Sequence, residues 1–323
     1  MNCPAPSLER GFFFVANSCP LGRFGDIRTM HIISSRQRDL GGFEVGRILP
    51  YEGGRMVGPF IFLDHIGPAR FEPGGGIDVR PHPHIGLSTL TYLFEGEIHH
   101  SDSLGFSQAI RPGEVNWMTA GRGITHSERT DPALRASGQG MHGMQAWVAL
   151  PNDQEETAPA FDHIEGDAAL PTYRYGGLWG RLVAGEAYGA KANVDVRSPL
   201  YYVHWELDTG ASGTPPEGYS ENAVFVAKGA IELDGHRLDK GQMAIFGKEQ
   251  PTVKALEPST VMALGGEPIG ERHIWWNLVS SSKERIQEAK ADWKAGRFVL
   301  PPEDNHEFIP LPEEPPPPPE PLS

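Results

Sequence analysis

The sequence is poor in cysteine, in basic runs and in long hydrophobic stretches. Its only two cysteines, Cys3 and Cys19, fall within the first twenty positions. No disulfide framework can therefore hold the body of the chain, and a reducing compartment, the cytoplasm, is expected. Thiolate-bound iron–sulfur clusters and cysteine-type structural zinc sites are excluded from the rest of the chain for the same reason. No block of five or more Lys and Arg offsets the balance of 42 Asp and Glu against 28 Lys and Arg, a formal charge of -14. Binding to phosphate backbones draws on clustered cations, so no direct nucleic-acid partner is expected. The apolar run "GFFFVA" at 11–16 is too short for a bilayer and lacks the flanks of an export signal, so neither membrane insertion nor export is expected.

Glycine and proline are abundant, 39 and 30 of 323 residues. That level favours many short strands joined by turns, and the length suits about two domains. From Met30 onward, "GGFEVGRILP", "GPFIFLDHIGP", "LSTLTYLFEGEIHHSDS", "PGEVNWMTAG" and "MQAWVALP" recur at short spacings, each apolar and bounded by turn residues. Such a rhythm predicts an all-β sandwich or barrel. The Glu95-Gly96 step is expected to turn a hairpin. After a looser acidic stretch at 151–167, "NAVFVAKGAIELDGHRLDKGQMAIF" repeats the grammar of the first half, with Gly229 at the place of Gly96 and Gly241 at that of Gly113. The chain reads as a duplicated barrel. The expected divisions are an N-terminal extension over 1–28, a first barrel over 29–160, a second over 161–310 and a proline-rich acidic tail over 311–323. One helix is expected near 281–295. Ser281 and Glu284 would form its capping box, Ile286, Ala289 and Trp293 its apolar face, and Gly296 its stop.

The chemistry gathers in "RPHPHIG" and "TAGRGITHSE". His82 and His84 are two apart, so on a strand they share a face. Pro81 and Pro83 remove ladder donors around them, which suits a strand end. His126 and Glu128 repeat the spacing about 44 residues further on, and two such pairs on neighbouring strands could bring three imidazoles and one carboxylate to a common centre. That donor set suits Fe, Mn, Co, Ni, Cu or Zn, and on a six-coordinate ion it leaves room for O2 or a substrate. The bland alternative is four ordinary hydrogen-bonding residues at a polar barrel mouth. His99 and His100 are expected to face solvent or brace a turn, and His31, His65, His142, His204 and His273 stand singly. Gln145 and Trp147 could line the pocket, Trp147 more readily as core, and Arg122 could steady a carboxylate near His126. Counting from the shared glycines, the second barrel has Pro215, Glu217, Lys254 and Leu256 at the four places. It is expected to hold no ion.

With these residues in hand, the sequence resembles the pirin family of the cupin superfamily. "HPHIGLSTLTYLFEGEIHHSDS", "GEVNWMTAGRGITHSE" and "MQAWVALP" are similar to that family's signature blocks, and the likeness runs over roughly residues 29–310. Thr89 stands where a general cupin has its glutamate, and Glu128 stands where pirins place theirs. The resemblance implies two tandem cupin (jelly-roll) barrels and one Fe(II) held by His82, His84, His126 and Glu128. It also implies a quercetin 2,3-dioxygenase type of oxidoreductase. A planar phenolic substrate of the flavonol kind would pass the proton of its 3-hydroxyl to Glu128 or to a metal-bound base, and O2 would open its heterocycle with loss of carbon monoxide. The alternative it implies is a non-enzymatic, redox-sensing regulator that binds a partner protein. A monomer is expected.

Overall fold

The computed structural model describes residues 30–39, 43–51 and 56–313. The extension expected over 1–28 and the prolines beyond 313 lie outside the described residues.

Two jelly-roll barrels follow one another. In the first, a large sheet runs in the order Ala160–Ile164, Val115–Thr119, Leu87–Glu95, Gln139–Ala149, Phe60–Phe71, Glu44–Leu49 and Arg36–Asp39. A smaller sheet runs Asp78–His84, Ile124–Arg129, Ile98–Asp102 and Ser107–Ile110. The two close on a shared apolar layer, with Val45, Ile66 and Leu93 from the large sheet against Val79, Ile98 and Ile110 from the small one. The second barrel repeats this path, with one short strand, Ala190–Lys191, added beside Leu178–Ala187. Its large sheet runs His31–Ser34, Gln242–Phe246, Glu221–Lys228, Ser259–Gly266, Leu200–Leu207, Leu178–Ala187 and Thr172–Tyr175. Its small sheet runs Ser212–Gly213, Val253–Ala255, Ala230–Leu233 and His236–Asp239. The duplication read from glycine spacing is thus a duplication of topology.

The glycines show how. Gly96 (φ 90°) and Gly229 (φ 79°) each carry the chain from a large-sheet strand to a small-sheet strand. The step at Glu95-Gly96 is therefore not the expected hairpin, because Leu87–Glu95 and Ile98–Asp102 pair with different neighbours. A Cβ on Gly96 would stand 2.4 Å from the Gly140 carbonyl oxygen, so the crossing needs both the positive φ and the bare backbone.

Two edge strands lie across the divide drawn at residue 160. Ala160–Ile164, inside the acidic stretch, pairs with Val115–Thr119 and completes the first large sheet. His31–Ser34, ahead of the first barrel, pairs with Gln242–Phe246 in the second. Between the barrels one apolar core continues without a break, with Phe60 against Tyr202 at 5.6 Å among its contacts.

The C-terminal part folds back onto the first barrel. His273–Trp275 and Leu278–Ser280 form a hairpin whose Leu278 bridges Ile85. The Arg272 guanidinium donates to the Leu150 carbonyl at 2.8 Å and pairs with Glu155 at 2.9 Å. The helix then runs Lys283–Lys294, burying Ile286, Ala289 and Trp293 as expected. Its cap is Ser282, one residue later than the sequence suggested, because Ser281 is taken up by Glu155. Two short helices, Pro132–Ser137 and Gly166–Ala169, were not anticipated. No helix among the described residues is long and apolar enough to cross a membrane.

Candidate metal centre

Strand Asp78–His84 pairs with Ile124–Arg129, and this register sets His82 opposite His126. The ladder is irregular between His126 and Glu128, so that Glu128 faces Val79. Pro81 falls within this break, between Val79 and His82, and Pro83 faces Thr125; neither offers an N–H to the ladder. His82, His84 and His126 come together, buried, with one ligand nitrogen from each within 4.8 Å of the others. Glu128 is not a member of that group. It is half-buried on the wall of the same cavity, where the Gln145 amide, itself held by Thr91, faces its carboxylate.

Each ring has its outward nitrogen engaged. His82 Nδ1 donates to the Arg80 carbonyl and His84 Nδ1 to the Asn277 carbonyl, both at 2.9 Å. A carbonyl can only accept, so both rings carry their proton on Nδ1 and turn the Nε2 lone pair inward. His126 Nδ1 lies 3.4 Å from His100 Nδ1, and His100 Nε2 lies 3.0 Å from Asp102 Oδ2. The carboxylate fixes the His100 proton on Nε2, which makes His100 Nδ1 the acceptor from His126. All three Nε2 lone pairs then converge, with His84 and His126 Nε2 only 3.1 Å apart. Adjacent imidazoles on an ion with bonds of about 2.1 Å are about 3 Å apart at a right angle, so the donor set fits a transition metal.

Electrostatics agree with neutral ligands. Burial pulls His82 down to about 4. It holds His84 and His126 well below the usual imidazole range, with the facing rings adding to the effect. Loss of water pushes Glu128 up to about 7, against the lowering effect of the Gln145 side chain beside it.

The cavity beside the triad has a volume of ≈ 70 Å³. Its walls are apolar, with Phe43, Ile66, Ile77, Val79, Ile98 and Ile309 among the lining residues. Trp147 is both core and wall: it stacks on Phe62 at 4.0 Å and meets the His84 ring edge-on at 5.0 Å. Arg47 and Asp64 form a buried bidentate pair in the same cavity, at 2.9 and 2.8 Å. Gln145 lines it as well, and accepts from Thr91 at 2.7 Å. The C-terminal stretch crosses the cavity at Ile309, whose N–H donates to Pro81 and whose carbonyl accepts from Trp293 Nε1.

Several histidines differ from their sequence reading. His99 does brace a turn, through Ser107 at 2.8 Å. His100 does not face solvent. Opposite Glu128 in the ladder and stacked on Phe161 at 4.5 Å, it supports the triad. The alternation Ile98, His100, Asp102, headed by an apolar residue, carried that signal. Asn277 left none, since nothing local ties it to a histidine 193 residues away. His65 and His142 do not stand singly: their Nε2 atoms are 2.9 Å apart. Arg122 is exposed and offers its backbone, not its guanidinium, to the neighbouring segments. In the second barrel Lys254 pairs with Ser212 as His126 pairs with His82. Thus Ser212, not Pro215, matches His82. Among the described residues the only potential metal-binding group of three or more such side chains is in the first barrel.

Two jelly-roll barrels in tandem, the first with three inward imidazoles beside an apolar cavity, define a bicupin with a candidate metal centre. The chain belongs to the pirin family: the Pirin model matches residues 42–148 and the Pirin C-terminal cupin domain matches 202–299. It is 62% identical over 285 residues to a pirin-like protein of Caulobacter vibrioides, covering 87% of this chain and 99% of that one. It is 39% identical to a Pseudomonas aeruginosa protein provisionally named quercetin 2,3-dioxygenase, over 82% and 83% of the two chains. A solved structure of quercetin 2,3-dioxygenase from Acinetobacter baumannii superposes with a TM-score of 0.82 at 32% identity, over 88% of this chain and 96% of that one.

Proposed function

We propose that the chain is an Fe(II)-dependent dioxygenase acting on a planar phenol of the flavonol type. The observation that carries this reading is the convergence of three Nε2 lone pairs at the edge of an apolar cavity that also holds a carboxylate. The names of its relatives favour the same substrate class. His82, His84 and His126 hold the ion through Nε2, and Glu128 completes the set or receives the phenolic proton. Bound there, iron supplies a redox-active template for O2 and substrate. Val79, Ile98 and Ile309 keep bulk water from the reacting groups, and the Phe62–Trp147 stack offers a flat wall to a planar ring. Glu128 keeps its orientation through Gln145, which Thr91 in turn holds.

Oxygen uptake with quercetin on Fe(II)-loaded protein tests the reading, with His82→Ala and Glu128→Ala alongside. Uptake is expected from the wild type, with a loss of at least about 100-fold from Glu128→Ala, the range for removing an acid–base group, and a loss from His82→Ala because it takes away a ligand of the ion. Undiminished uptake in both variants would refute the site. No uptake from wild-type protein with a full complement of iron would favour a sensor that binds a partner protein.

A further inference from the structure

Asp102 is buried, and its two carboxylate oxygens serve different masters. Oδ2 holds His100, which in turn reaches His126. Oδ1 accepts the N–H groups of Leu104 at 2.8 Å and Phe106 at 3.2 Å, tying down a surface turn. That turn presents two large apolar side chains to solvent, Leu104 at 44% exposed and Phe106 at 46%. A second route runs beside the first: Phe106 packs on Phe161 at 5.1 Å, and Phe161 stacks on His100. No other carboxylate oxygen is in hydrogen-bond contact with His100 among the described residues.

We propose that Asp102 and His100 are positioning residues for His126 and couple the order of the Leu104–Phe106 turn to occupancy of the metal centre. An ion on His126 Nε2 fixes the ring's position, and with it the acceptor geometry at His100 and the Asp102 carboxylate. The same carboxylate orients the turn. By linkage, whatever orders the turn must tighten metal binding by the same factor. The chain of contacts is polar and directional, so it depends on each partner's donor and acceptor order rather than on bulk.

The test uses the full chain and Co(II) as probe. Co(II) affinity is measured by calorimetric titration, and hydrogen exchange at the Leu104 and Phe106 amides is followed with and without Co(II). His100→Leu removes the relay while keeping an apolar side chain on Phe161, and should weaken Co(II) binding about 10–100-fold, the range for a residue that orients a ligand. His100→Gln can accept from His126 and donate to Asp102, so it should restore most of the affinity. In the wild type Co(II) should slow exchange at both amides, and in His100→Leu it should not. Equal affinity in wild type and His100→Leu would overturn the positioning role. Wild-type exchange at the two amides that ignores Co(II) would overturn the coupling. Should His100→Leu fail to fold, the wild-type exchange measurement and the Gln variant still decide: Gln no better than a further variant, His100→Met, would count against the relay.

Discussion

At the scale of single residues, donor and acceptor chemistry decides what each histidine can do. Three imidazoles whose outer nitrogens are committed to Arg80, Asn277 and His100 have their inner lone pairs aimed by that commitment. The His65–His142 pair shows the same rule with no third ring in the group. Two Nε2 atoms at 2.9 Å can share one proton, and a second has nowhere to go. Burial first, and the partner's charge next, lower His65 to about 3. Burial and then Lys240 lower His142 to about 4. In the unfolded chain both return to the ordinary value near 6.5, so between that pH and about 4 the unfolded state binds more protons. The pair's contribution is therefore complete above pH 6.5 and is lost as the pH falls, on the order of a few kcal/mol in all. Urea unfolding of wild type and His142→Gln from pH 7.5 to 4.5 should show a shallower pH dependence in the variant. Equal slopes would remove the pair from the account.

Among elements, the hairpin His273–Ser280 serves the site from far along the chain. It delivers the Asn277 carbonyl to His84, and it docks where the backbone at Gly86 makes room. Gly86 has φ 68°, and a Cβ there would stand 2.0 Å from the Val279 carbonyl oxygen. Gly86→Ala must push the hairpin away as well as bear the unfavourable φ, at a cost of about 1–3 kcal/mol. The expected result is a lowered melting temperature together with weaker metal binding, since His84 loses its orienting partner. A fall in melting temperature with unchanged affinity would separate the hairpin from the centre. The small-sheet strands follow the same logic at shorter range. Alternation along Ile98, His100 and Asp102 faces the lumen because Ile98 belongs to the apolar layer, and the two polar residues follow it inward.

The whole molecule joins two copies of one topology through exchanged edges and a shared core. His31–Ser34 closes the large sheet of the second barrel, and Ile33 packs against the common core. Ile33→Asp would place a charge at that seam, and the strand should detach. The expected reading is faster hydrogen exchange along Gln242–Phe246 with little change along Val115–Thr119, whose edge is covered by a different strand. Uniform acceleration in both barrels would instead mean that the two unfold as one unit.

How much of this was legible beforehand follows from the range of each interaction. Turn glycines, alternating strands, the helix and the pairs His82/His84 and His126/Glu128 are local, and period and spacing alone displayed them. The copied order of apolar strand, glycine and strand displayed the duplication for the same reason. The structure brought the three histidines together and left Glu128 on the wall of the same cavity, across a break in the ladder between His126 and Glu128. The sheet crossing at Gly96, the burial of His100, the meeting of His65 with His142 and the carbonyl of Asn277 behind His84 all depend on which strand lies beside which. Sequence by itself determined the periodic elements and the kinds of donor atom available. Tertiary structure decided which donors share a centre, because strand pairing and chain reversal bring together groups whose separation along the chain leaves no local trace.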